Sequence, residues 1–158
     1  MTCSQRRAHC GVGGQPHLRG RMILSGIALL ATALLLGGMV FFAVAVAPLV
    51  FTRLPPDQAG RFIRQVFPLY YLWVLGLSAV AAVALWPLRL WDALSMAAVA
   101  ALTAWLRQGL MPRINALSDA AQAGDAAAKG RFDRAHRLSV ILNAAQMLAA
   151  LVVLLRFA

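Results

Sequence analysis

His136, Ser139, Asn143 and Gln146 are the residues whose types and spacing come nearest to a chemistry in this chain. On a helix advancing 100° per residue they fall within about 80° of one another. The run that holds them, RFDRAHRLSVILNAAQML, leads into an apolar segment, where polar side chains are costly and must find partners inside the protein. Two readings stay open. In the first, Ser139, Asn143 and Gln146 hydrogen-bond across helices and fix packing. In the second, they line a cavity or ligand site mouthed by His136 and Arg137, with Arg113 from a facing arm. His136 is the residue to test as an axial haem or metal ligand, but His9 and His17 precede every apolar block and no carboxylate lies deep in a span. Met39, Met96 and Met147 offer soft thioether sulfur of the kind that suits copper(I), although methionine in a membrane helix more often serves packing. Cys3, His9, Cys10 and His17 have zinc-ligand chemistry at a spacing that matches no familiar finger, and a loose tail is the expected state. There is no Ser/His/Asp or Cys/His set, no Gly-rich phosphate loop and no paired carboxylate, so neither a hydrolase nor a nucleotide enzyme is expected. No catalytic residue and no cofactor are assigned; haem or copper on His136 is the alternative.

The elements that would position these groups belong to a membrane protein. Apolar residues make up 61% of the 158 and charged ones 13%, the reverse of a disordered or nucleic-acid-binding chain. The net charge of +10 sits just outside the apolar blocks, where it meets anionic headgroups and orients helices. The expected partners are the lipid bilayer and a second copy of the chain or another membrane protein, not nucleic acid. Residues 22–52 contain no ionisable side chain and would reach roughly 46 Å as a helix, against a hydrocarbon layer about 30 Å thick. That run is too long for a signal h-region of about 7–15 residues. Residues 1–21 read as a disordered tail or as an extension upstream of a start at Met22.

The spans predicted are about 23–47, 65–88, 91–110 and 138–155. On the first, Ala33 and Gly37 recur at four-residue spacing beside Gly38 and permit close backbone contact; Pro48 ends or kinks it. Asp57 is placed as an N-cap, Pro68 in the first turns of the second span, and Tyr70, Tyr71 and Trp73 in an interfacial aromatic belt, with Trp86 and Trp91 at the other interface. The third span is the shortest and crosses only if Arg107 snorkels; a buried half-span is its alternative. Between the third and fourth, Pro112 opens a short helix and Gly124 closes it. Asp125 caps the next helix, with Asp125/Lys129 and Asp133/Arg137 as acid-before-base pairs. The fold class expected is all-α: a polytopic four-helix membrane bundle with a helical hairpin between helices three and four. The connections after helices one and three carry Arg53, Arg61 and Arg64, and Arg107, Arg113, Lys129, Arg131, Arg134 and Arg137, while Arg89 and Arg156 lie opposite, joined by Arg6, Arg7, Arg19 and Arg21 if the tail is counted. This bias places the hairpin in the cytoplasm and both termini outside.

From Gly37 onward, the run GGMVFFAVAVAPLVF, the AGRF and FPLYY segments, MPRINAL, and GDAAAKGRFDRAHRLSVILNAAQM resemble the bacterial DUF4149 membrane family, which includes the eukaryotic transmembrane protein 205. The resemblance covers residues 23–155, and the stretch Phe132, His136, Arg137, Ser139, Asn143 is its most specific part. It implies a four-helix, multi-pass protein of the bacterial inner membrane with no established reaction. The characteristic positions it implies are Pro48, Phe51, Gly60, Pro112, Arg113, Asn115, His136, Arg137, Ser139 and Asn143. More distantly, the family is similar to four-helix proteins of copper-resistance type and to the haem-dependent protoporphyrinogen oxidase. Those carry histidine or methionine within their membrane helices; here no histidine lies in helices one to three.

Overall fold

Two prolines that should interrupt helices are instead absorbed by them. Proline cannot donate to the carbonyl four residues back, and its ring collides with that carbonyl. Ahead of Pro48 the backbone widens into a π turn, Phe42–Val46, in which the Ala47 N–H reaches back five residues to the Phe42 carbonyl. Ahead of Pro112 a second π turn, Leu106–Leu110, does the same through Met111 N–H and the Leu106 carbonyl. The extra residue rotates the obstructing carbonyl aside, and the helix runs on through each proline.

The computed structural model describes residues 16–157. The zinc reading of Cys3, His9 and Cys10 lies outside the described residues, as does the side chain of Asp57. In chain order, α1 is Pro16–Phe41, continued after the first π turn by α2, Ala47–Arg53; α3 is Pro56–Leu85; α4 is Leu90–Trp105, continued after the second π turn by α5, Met111–Gln122; and α6 is Ala126–Leu155. No strand occurs among the described residues. Several expected boundaries move. The first helix begins six residues ahead of Met22, so part of the expected tail is helical. Neither Pro48 nor Pro112 breaks its helix, and the hairpin arm after Pro112 is the direct continuation of α4. The helix after Pro55 starts at Pro56, ahead of Asp57, and Pro68 lies in its interior rather than its first turns.

Three helices are long and apolar enough to cross a membrane: His17–Arg53, Gln58–Leu85 and Ala126–Leu155. Their outer faces carry exposed Leu30, Val44, Leu69, Val83 and Leu148. That much contiguous apolar surface is incompatible with a monomer in water and natural against acyl chains. The inner faces meet in one core, to which α1 gives Leu35 and Met39, α3 Val74 and Leu85, α4 Met96 and α6 Val153. α1 packs on α3 and α6, α3 on α4, and α5 on α6. Hydroxyls inside this core are satisfied by their own helices: Thr32, Ser78 and Thr103 donate to the carbonyls of Ala28, Val74 and Val99 at 2.8, 2.6 and 2.7 Å, so they need no partner across the interface. The close approach of α1 and α3 falls at Gly38, where a Cβ would lie 2.6 Å from Trp73 Nε1, whereas Gly37 faces open space.

Gly124, with φ of +99°, makes the turn between α5 and α6, a conformation that glycine adopts without strain. Asp125 then caps α6, accepting from the N–H groups of Ala127 and Ala128 at 2.8 and 3.0 Å. Its ion-pair partner is Arg131 at 3.5 Å rather than the expected Lys129, and Asp133 makes no ion pair with Arg137. Six residues along the helix, Arg131 reaches back to the cap, while a Lys129 side chain one turn on is free to extend into water.

Candidate functional site

The two π turns bracket a single layer of aromatic and polar side chains. Phe42, at the start of the first, lies against Tyr70 with ring centroids 4.6 Å apart and edge-on to Phe67 at 5.4 Å. Leu106 and Leu110, the ends of the second, pack with Tyr71. A π turn displaces side chains by one position relative to an α-helix and is frequent at functional sites. Here both displacements point at the same pair of tyrosines on α3. Tyr71 is buried and Tyr70 packs against the core, so both rings face neighbouring helices, while Trp73 is substantially exposed.

Into this layer α6 projects Asn143. The Tyr70 hydroxyl donates to Asn143 Oδ1 at 3.2 Å, Asn143 Nδ2 donates to the Ser139 carbonyl at 2.9 Å, and Ser139 Oγ donates to the His136 carbonyl at 2.7 Å. One turn further along, Gln146 Nε2 donates to Thr103 Oγ1 at 2.8 Å and to the Val99 carbonyl at 3.2 Å. The amide orientation follows from that second bond, since a carbonyl can only accept. Gln146 Oε1 and Arg107 Nε are buried side-chain atoms without a hydrogen-bond partner among the described residues.

The residues singled out from the sequence therefore separate. Asn143 and Gln146 reach other helices. Ser139 is buried but bonds within α6. His136 and Arg137 are exposed, with the imidazole stacked on Phe132 at 5.8 Å and 4° between planes. Arg113 and Pro112 are exposed as well, and Asn115 contributes its backbone carbonyl, 3.4 Å from Arg64 Nη2, beside the Arg64–Asp119 ion pair at 2.5 Å. His136 shares the helix face of Asn143 but lies about two turns nearer the hairpin, where it and Arg137 are exposed. Met39 and Met96 are fully buried and Met147 packs beside them, all three in the apolar core. Among the described residues, no group of three or more His, Cys, Asp or Glu is placed to hold a metal.

Four residues that matter here carried little signal in the sequence. Tyr70, Tyr71 and Thr103 lie in apolar runs, where a hydroxyl at helical spacing does not reveal which helix it will face. Asp92 is buried and holds Arg156 from the far end of the chain at 2.5 Å, a pairing that no local pattern announces.

A family model described as "Domain of unknown function (DUF4149)" matches residues 30–123, more than half of the chain. The matched range includes both π turns, the tyrosine pair, Arg113 and Asn115, and ends at the turn before α6. No curated protein and no solved structure matches the chain.

Proposed function

This chain belongs to the DUF4149 family of unknown function, and on that premise we propose that it is a non-enzymatic integral membrane protein, a compact four-helix bundle acting as a scaffold, accessory subunit or small-solute handling component. The observation that carries this reading is the use made of the polar groups on α6. Asn143 and the Nε2 group of Gln146 are occupied by Tyr70, Thr103 and the Val99 carbonyl, and Gln146 Oε1, although unpartnered, is buried. Side chains spent on interhelical bonds define a packing geometry rather than a reaction centre. In this reading the stretch Leu90–Leu110 is the fourth crossing, with Arg107 at its end. The bias of arginine and lysine then puts the α5–α6 hairpin in the bacterial cytoplasm and both termini outside.

The test is a preparation in mild detergent, examined for visible absorption and bound metal. The expected protein is colourless and free of stoichiometric metal. A Soret band or bound copper that disappears in His136→Ala overturns the proposal in favour of a redox protein.

A further inference from the structure

At the end of the molecule opposite the hairpin, Asp92 is buried in the first turn of α4. Arg156 Nη1, at the end of α6, lies 2.5 Å from one of its carboxylate oxygens, and Arg89 Nη1 lies 3.7 Å from the other. The Arg89 guanidinium sits over the Phe157 ring at 5.0 Å. An open recess of about 440 Å³ is lined by Arg89, Leu90, Trp91, Asp92 and Arg156. The group carries two positive charges and one negative. A guanidinium offers five N–H donors, and a single carboxylate cannot engage both sets, so donors remain for an oxyanion. The buried carboxylate holds the guanidiniums in place, which lowers the entropy cost of ordering them on binding. Trp86 and Trp91 are strongly exposed at the same end, as indole rings are at the headgroup level of a bilayer.

We propose that Arg89 and Arg156, held by Asp92, form a site for a phosphate monoanion at the membrane interface, occupied by the phosphate of an anionic phospholipid. The net charge of +1 matches one phosphodiester, and planar guanidinium forks suit its paired oxygens. The open shape lets a headgroup enter from the side while its acyl chains stay along the apolar faces of α4 and α6. A zwitterionic lipid brings a cationic group beside the arginines and is disfavoured. This site rests on the chain being embedded in lipid, and not on the role proposed for the tyrosine layer.

The full chain, purified in detergent, is examined by native mass spectrometry with phosphatidylglycerol or phosphatidylcholine added at equal concentration. Phosphatidylglycerol is expected to give the more abundant adduct, and Arg89→Gln/Arg156→Gln to lose that preference by about tenfold. Because the double variant leaves Asp92 buried without a partner, Asp92→Asn provides the second arm. Its amide oxygen can still accept from the guanidiniums and hold them while the competing negative charge is gone, so the preference is expected to rise, whereas a mere structural staple gives no gain. Arg131→Gln/Arg134→Gln, at the far end, should leave the preference unchanged. Equal adducts for both lipids in the wild type, or no gain in a folded Asp92→Asn protein, overturns the proposal. Displacement of phosphatidylglycerol by inorganic phosphate overturns the lipid as occupant and assigns the site to the free ion. Extraction of the chain from membranes without detergent would instead defeat the membrane reading on which the site depends.

Discussion

Gln146 shows how little a buried amide has to do to be useful inside a bilayer. Its Nε2 ties α6 to α4, while its Oε1 is left without a donor, so part of the bond energy is offset by an unsatisfied acceptor. Gln146→Leu is therefore expected to cost only about 1 kcal/mol in a reversible unfolding measurement in detergent, in the range of interhelical hydrogen bonds in membranes. Gln146→Glu should cost more, because burying an ionised carboxylate in the apolar interior costs more than burying an amide. If the leucine variant were the less stable of the two, the bond pattern would be wrong. The adjacent glycines of α1 make a second contrast. Gly38→Ala drives a methyl against Trp73 and should lower thermal stability, with recovery when combined with Trp73→Leu. Gly37→Ala meets nothing and should be neutral or stabilising by up to about 1 kcal/mol from helix propensity. Melting curves of the two single variants and the rescue pair decide it. Equal losses from Gly37 and Gly38 would place the α1–α3 contact elsewhere.

At the scale of elements, the prolines are the point of interest. Pro48 and Pro112 are legible in any sequence as interruptions, and a helix that ends at each is the simplest expectation. The backbone instead inserts a π turn immediately ahead of each one, and two short helices become parts of longer ones. Whether a proline terminates a helix or is carried through it depends on what the residues beyond it can bury. Ile114 packs against the Tyr71 cluster, and α5 lies along α6, so continuation is rewarded. Spin labels on cysteines at Leu90 and Ala121 should give a distance of about 46 Å for an uninterrupted helix. A break at Pro112 would bring them clearly nearer.

For the molecule as a whole, the number of crossings determines which ends share a side of the membrane. Three helices meet the length and hydropathy needed; Leu90–Leu110, with Arg107 inside it, is the doubtful one by composition. In a cysteine-free background, single cysteines at Pro87 and Ala127 test it directly. With a fourth crossing they label from opposite sides in intact cells, Pro87 from outside and Ala127 only after permeabilisation. Labelling from the same side would mean that α4 is a half-span, and reversal of the two would invert the orientation.

Hydrophobic run lengths, the absence of ionisable groups from residues 22–52 and the distribution of arginine are local properties, and they suffice for a helical membrane protein with polar groups collected on the last helix. Gly124 and Asp125 were likewise legible, since a left-handed turn and an N-cap each depend on a few adjacent residues. The partners of Asn143 and Gln146, the inward turn of Tyr70 and Tyr71, and the clasp between Asp92 and Arg156 were not. Each pairs residues more than 40 positions apart, and in a chain this apolar many rotations of a helix bury similar area. Only the packing of α1, α3, α4 and α6 against one another selects the rotation, and with it which hydroxyl, amide or guanidinium meets which.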